Sequence, residues 1–313
     1  MSIDAADLAA ARDALSGVAR RTPLIEVEGF DHPVRLKAEY LQPIGAFKLR
    51  GAWNAISRLD AAARSRGVVT SSSGNHGYAL AWAAHRQGIR AAVVMPESAP
   101  AIKRRNIETV GGEVHLVGAV RGPEQFTHAE MLAEREGMTL IHPFDHPDVI
   151  AGQATCTLEI LEDWPEVSRV VVPTGGGGLL SGACLAVRFS GRTVGITGVE
   201  PEHVPKLSRA LAEGRTVDVG AGTSLADGTL TRSLGELTWP IIREAGVDAV
   251  AASDAEIRAA LRWLADREIV AEPSGALPVA ALLSGRLELS GPTALIVSGG
   301  NVDPARHAEL VSE

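Results

Sequence analysis

Lysine is nearly missing from this chain. Lys37, Lys48, Lys103 and Lys206 are its only lysines, and arginine supplies the other 26 of its 30 basic residues. Chemistry that needs an amine able to form an imine is therefore confined to four positions. Cysteine is scarcer still. Cys156 and Cys184 both fall in apolar, helix-like contexts without metal-ligand spacing, so they read as buried thiols of a reducing compartment. The histidines are scattered, with only His76 in a polar cluster, so no metal site is expected and no Ser-His-Asp order stands out. No apolar run reaches membrane-spanning length. A net charge of −8 speaks against a nucleic-acid or anionic-membrane partner. The opening MSIDAADLAAARDAL carries acids and no apolar h-region, so it reads as an amphipathic helix and not as a signal peptide. These absences predict a cytoplasmic protein.

What is present is an ordinary globular composition, 45% hydrophobic and 22% charged over 313 residues, enough for two cores. Residues 4–19 read as a helix with Asp4 as N-cap. TPLIEV and PVRLKAEYL read as strands. From residue 67 a regular alternation begins: GVVTSSS, IRAAVVMP, EVHLVG and MTLIHP as strands, with GYALAWAAHRQ, PAIKRRNIETV and QFTHAEMLAERE as helices between them. That pitch means βαβ units on a parallel sheet. A second alternation follows, with QATCTLEILED a helix, SRVVVPT a strand, GGGGLLSGACLAVRF a loop entering a helix and TVGITGVE a strand. A less regular portion holds Gly214, Gly220, Gly222 and Gly228. Helices near 235–245, 254–267 and 272–284 come next, with AVAAS a short strand between the first two, and TALIVS is the last strand. The expected architecture is α/β, with two open, mostly parallel sheets. Residues 1–66 and 147–313 form a large domain, and residues 67–146 a small one inserted into it.

Three stretches carry chemistry. PIGAFKLRGAWN, residues 43–54, places Lys48 between Gly45 and Gly51 at a strand-to-helix turn, where a side chain can face a cleft. Taken alone, such a lysine reads as a solvated first-turn residue. Thr174 precedes four glycines, Gly175 to Gly178, which follow an apolar strand and open a helix. Backbone N–H groups and the helix terminus there suit a phosphate. A flexible turn is the plainer reading, yet four glycines cost more conformational entropy than a turn requires. Ser72-Ser73-Gly74-Asn75-His76-Gly77 gathers hydroxyls, an amide and an imidazole at a strand's C-terminal edge, where open α/β sheets bind ligands. N-capping by Ser73 or Asn75 would explain one of these residues, not five. Ser298-Gly299-Gly300-Asn301 is weak by itself. His142-Pro143-Phe144-Asp145 and Glu272-Pro273-Ser274-Gly275-Ala276 read as structural corners.

Together these stretches resemble the fold type II pyridoxal-phosphate enzymes, in the threonine/serine dehydratase and serine racemase branch. The likeness runs in order from RTPL through LKAEYLQPIGAFKLRGA, SSSGNHG, HPFDHPDVIAGQAT, PTGGGGLLSG, GVEPE, ADG and EPSGALP to SGGNVD, which is nearly the whole chain. The resemblance implies pyridoxal 5'-phosphate in the cleft between the two domains. Lys48 would hold it covalently, and Phe47 would pack on its ring. Gly175, Gly176, Gly177 and Gly178, with the Leu179 amide, would hold its phosphate. Asn75 would meet the ring hydroxyl, Ser298 the pyridine nitrogen, and Gly228 would line the ring. Ser72, Ser73, Asn75 and His76 would take the substrate carboxylate, and Ser73 would be a second catalytic group. The implied partner is a small amino-acid substrate, the implied assembly a homodimer, and the implied form the short one without a regulatory domain.

The activity so implied is a threonine/serine ammonia-lyase that turns a 3-hydroxy L-amino acid into a 2-keto acid and ammonia. Lys48, freed by the substrate amine, would remove the Cα proton, and a neutral Ser298 would favour elimination over transamination. An amino-acid racemase, with Ser73 serving the opposite face of Cα, is the close rival. A β-replacement synthase and a non-catalytic phosphate-ligand binder are less well matched. Three positions depart from the family pattern: Ile44, Ala46 and Tyr78. The last would narrow the pocket or move a proton. Racemase-type relatives bind a divalent ion through the glutamate of a GVEP segment and an acid six residues on. Here Glu200 is kept, but the sixth residue is Lys206, whose charge is expected to stand in for the ion.

Overall fold

Asp4 exchanges hydrogen bonds with Asp7, a reciprocal cap on α1 (Ala5–Leu15). This computed structural model describes residues 3–99, 101–120 and 122–312. After α1 come β1 (Leu24–Val27), β2 (Val34–Ala38), α2 (Lys48–Ser57) and α3 (Ala61–Arg66). The next block is β3 (Val68–Ser71), α4 (Asn75–Arg86), β4 (Ala91–Met95), α5 (Ala101–Thr109), β5 (Glu113–Leu116), α6 (Glu124–Glu136) and β6 (Thr139–Leu140). Then follow α7 (Pro147–Asp163), β7 (Arg169–Pro173), α8 (Gly178–Ser190), β8 (Gly195–Pro201), α9 (Lys206–Glu213) and α10 (Thr238–Ala245). The chain closes with β9 (Asp248–Ala252), α11 (Asp254–Ala265), α12 (Pro273–Leu283), β10 (Thr293–Val297) and α13 (Pro304–Ser312).

Two sheets result. One has six strands in the order β1-β2-β10-β7-β8-β9, parallel except for the antiparallel pair β1 and β2. The other has four parallel strands in the order β5-β4-β3-β6. Their central strands are continuous apolar runs, such as the buried VVVP of β7 and TALIV of β10, as strands covered on both faces must be. The last strand of the chain inserts between β2 and β7. That insertion carries residues 298–301 to the loop ahead of Lys48. Ala46 bridges to Gly299, the Phe47 amide donates to the Ser298 carbonyl at 3.0 Å, and the Gly300 amide donates to the Gly45 carbonyl at 2.9 Å.

Beneath α2 lies a buried ionic cluster. Arg50, two residues past Lys48, spends its donors on Glu39, Glu159, Thr155 and the Arg20 carbonyl, at 2.7 to 3.3 Å. Lys37 donates to Glu159 and to the Thr22 carbonyl, both at 2.6 Å. Two cations and two carboxylates balance, so the desolvated charges are all paired.

Several elements differ from expectation. The first helix stops at Leu15, and the run after Lys48 divides because Asp60 caps a separate helix by accepting from the Ala63 amide. The helix expected to open at Gln153 begins at Pro147, a favoured first helical residue. Helix α9 lies inside the stretch expected to be irregular, and α13 follows the last glycines. Both are short and bury few apolar residues (Leu207 and Ala210, beside Lys206, in one, Leu310 in the other), so neither shows a long apolar period. Pro100, where one helix was expected to start, lies outside the described residues.

Candidate active site

Between the two sheets is a cleft of about 300 Å³. Its lining brings together all three chemical stretches: Phe47 and Lys48, residues 72–76, and Gly175 to Leu179. Gly228 and Ser298 line it too. The first turns of four helices, α2, α4, α8 and α12, all reach this cleft, and none of the four has a side-chain cap. By contrast α1, α3, α7 and α11 are capped by Asp4, Asp60, His146 and Ser253. Uncapped helix N-termini keep free N–H groups and positive potential, so their convergence makes an anion site with more than one seat.

Lys48 sits at the first residue of α2. Its ammonium donates to the Pro143 carbonyl at 2.6 Å and lies 5.1 Å from the centre of the Phe47 ring. Burial lowers its pKa to about 8, against the opposing pull of Glu272. Near neutrality a useful fraction is the free amine, the form a nucleophile or base needs.

The tetraglycine loop owes its composition to packing as well as to a ligand. A Cβ on Gly176 would overlap the Phe144 ring, and one on Gly178 would lie 2.9 Å from Phe144 Cβ. Gly177 has φ +97°, and a Cβ there would meet Thr238 Oγ1 at 2.8 Å. The side-chain directions of the loop are thus occupied by protein. Thr231, which the sequence reading passed over, also lines the cleft, and its buried hydroxyl has no hydrogen-bond partner.

On the other wall, Gly74 is the N-cap residue of α4, and its amide donates to the Ser72 hydroxyl oxygen at 3.3 Å. Ser72 and Ser73 line the cleft. Asn75 is engaged at both ends of its amide. Its nitrogen donates to Glu272 Oε1 at 2.6 Å, and its oxygen accepts from Asn301 Nδ2 at 2.8 Å. The His76 ring turns toward the Ile141 carbonyl, 3.4 Å from Nε2, so Nε2 carries the hydrogen and Nδ1 is a buried acceptor without a partner. Burial, with Lys48 nearby, holds this imidazole neutral, well below its ordinary pKa. A neutral acceptor does not bind a carboxylate, so the part of His76 suited to one is its amide, in the first turn of α4.

Histidines that looked scattered are gathered here. Burial lowers His142 to about 4 and also lowers His146, and both lie within electrostatic reach of His76. His142 Nδ1 accepts from the Asp145 amide at 2.9 Å, and His146 Nδ1 accepts from the Asp148 amide at 3.2 Å. His142 and His146 are thus structural acceptors. No metal-binding group of His, Cys and acids occurs among the described residues.

Both expected corners belong to the site. In one, Pro143 receives Lys48, Phe144 underlies the glycines, and Asp145 accepts the amides of Glu236, Leu237 and Thr238. In the other, Ser274 accepts the Gly228 amide at 2.9 Å, and Glu272 is buried against Asn75. Burial, reinforced by Asp227, raises Glu272 to about 7. Lys103 of α5 pairs with Asp227 at the cleft margin. These residues escaped sequence reading because Pro, Ser and Gly mark turns whether or not a ligand is near. Ala46 and Ile44 are buried behind Lys48, and Tyr78 faces a second cavity of about 230 Å³ beyond Asn75.

An amine poised for imine formation, an uncapped helix at a glycine loop and an orphaned hydroxyl beside it suit a phosphate-bearing carbonyl cofactor. The site thus fits an α/β enzyme whose cofactor carries a phosphate and a carbonyl. Residues 15–299 match the model of the pyridoxal-phosphate dependent enzyme family, and the chain belongs to that family. Its cofactor is pyridoxal 5'-phosphate. The chain is 40% identical to an L-threonine ammonia-lyase of Thermotoga maritima, over 95% of this chain and 75% of that protein. It is 42% identical to an L-threo-3-hydroxyaspartate ammonia-lyase of Saccharomyces cerevisiae, over 89% and 86%. Among solved structures, maize serine racemase superposes with a TM-score of 0.94 at 34% identity, covering 99% of this chain and 97% of that one. Among the described residues no helix is long and apolar enough to cross a membrane.

Proposed function

We propose that this enzyme is an ammonia-lyase that converts a 3-hydroxy L-amino acid, threonine or serine, to a 2-keto acid and ammonia. The observation that carries the reading is Lys48, its amine brought to a pKa of about 8 in the cleft where four uncapped helix N-termini meet. When bound, pyridoxal phosphate supplies a sink for the electron pair left at Cα. The chain's own residues do the rest. Lys48 would hold the cofactor and, as a free amine, would take the Cα proton; its nitrogen is aimed by the Pro143 carbonyl. Gly175 to Gly178, the Leu179 amide and the start of α8 would hold the phosphate, and Phe47 would pack on the ring. Asn75 would donate to the ring oxygen. Ser298, buried in the cleft wall, would face the ring nitrogen as a neutral group. Ser72, Ser73 and the amides of Asn75 and His76 seat the substrate carboxylate. In the same reading residues 67–146 form the small domain, residues 1–66 with 147–313 the large one, and the enzyme is a cytoplasmic homodimer.

A racemase is the second reading, favoured by one observation: Ser73 lines the same cleft as Lys48 and offers a second proton carrier. The test is to supply L-threonine, L-serine and L-threo-3-hydroxyaspartate in turn, following 2-keto acid, ammonia and D-isomer together. Equimolar keto acid and ammonia from threonine or serine, abolished in Lys48→Ala, is the expected result. D-isomer without keto acid would replace the lyase by the racemase. Product from hydroxyaspartate alone would move the substrate to the acidic class.

A further inference from the structure

Asn75 lines both the catalytic cleft and the second cavity, and its amide is held from each side. On the cleft side stands Glu272, on the cavity side Asn301. Asn301 does not line the cleft. Its Nδ2 donates twice, to the Ile44 carbonyl at 2.8 Å and to Asn75 Oδ1 at 2.8 Å. The loop is shaped to admit it: Gly45 has φ +71°, and a Cβ there would overlap Asn301 Oδ1.

An amide can be turned over, and which end faces a ligand is decided by its neighbours. Glu272 cannot decide it. A carboxylate only accepts, but a carboxyl that also exists protonated donates as well, and would face either end of Asn75. Asn301 can decide it. The Ile44 carbonyl only accepts, so the atom of Asn301 facing it must be nitrogen. The second hydrogen of that nitrogen then points at Asn75 and requires an oxygen there. The nitrogen of Asn75 is left for Glu272, with one hydrogen still unspent.

We propose that Asn301 is a positioning residue that sets the polarity of Asn75, turning its amide nitrogen rather than its oxygen toward the cofactor. The ring oxygen of a lysine-bound cofactor is an anionic acceptor, so an inverted Asn75 would repel what it should hold. This rests on the family's cofactor and is independent of which amino acid is the substrate.

The test is a double-mutant cycle read on cofactor binding, not on turnover. Apo protein is titrated with pyridoxal 5'-phosphate, and the dissociation constant and the absorbance of the lysine-bound form are recorded for Asn301→Ala, Asn75→Ala and the pair. Each single change is expected to weaken binding about five- to tenfold, the scale of one hydrogen bond, and to shift the absorbance band. In the Asn75→Ala background, Asn301→Ala should change neither, because it acts only through Asn75. Asn301→Ser, which keeps one donor, should restore part of the affinity and serves if Asn301→Ala does not fold. Equal losses in both backgrounds, or unaltered affinity and spectrum in the singles, would overturn the proposal.

Discussion

The Lys206 ammonium lies 3.7 Å from the Glu200 carboxylate, and neither side chain reaches solvent. Glu200, the penultimate residue of β8, accepts the Leu207 amide at 2.7 Å and the Ser208 amide and hydroxyl at 2.8 and 2.7 Å, capping α9. Lys206 donates to the carbonyls of Val204 and Thr229, at 3.3 and 3.0 Å, and Thr229 lines the cleft. One buried cation therefore ties a strand end, a helix start and a wall of the active site.

That arrangement predicts a protein indifferent to chelator and to added magnesium, because an ammonium already neutralises Glu200. Lys206→Ala leaves a buried carboxylate without its counter-charge, and should lower the unfolding free energy by about 3–5 kcal/mol in urea titration. Activation of the unaltered protein by magnesium, reversed by chelator, would show that the ammonium does not replace a metal ion.

Lys48 sets a pH dependence. Imine formation needs the neutral amine, so association of cofactor with apo protein should accelerate as pH rises and level off above about 8. For an ordinary lysine the rise would continue toward about 10.4. Stopped-flow absorbance across pH 6 to 10 (roughly the interval separating the two cases) distinguishes them. A rise that does not level would mean that burial leaves Lys48 unperturbed.

Gly176→Val should weaken cofactor binding at least tenfold, because the added atoms overlap Phe144 and displace the loop by overpacking, which costs about 1–3 kcal/mol. Adding Phe144→Ala should recover much of the affinity if packing is the cause. Failure of that rescue, seen by cofactor titration, would return the glycine requirement to direct contact with the phosphate.

Ser73→Ala separates the two reactions. If its hydroxyl serves the second face of Cα, D/L interconversion should fall by about a hundredfold or more, while keto-acid formation falls little. Equal loss of both, measured on one sample by chiral chromatography and a keto-acid assay, would assign Ser73 to carboxylate binding alone.

Two kinds of feature were legible in the linear chain. Lys48 between glycines, four glycines after an apolar strand and a polar loop before a helix are local patterns, each dictated within about a dozen residues by turn and helix-start geometry. Strand and helix alternation likewise announced the two mostly parallel sheets, although α9 and α13 were too short and too sparsely buried to show their period. What only the tertiary structure decided is which of these loops face one another. Strand β10 comes last yet pairs with β2 and β7, and that order brings Asn301 against Ile44 and the Ser298 carbonyl against the Phe47 amide, while Asn75 meets Asn301 from α4, beside the other sheet. Glu272, Phe144 and Thr231 gain their importance in the same way. Their partners are supplied from other elements, by burial and by the uncapped ends of helices, and no spacing along the chain encodes a contact set by sheet order.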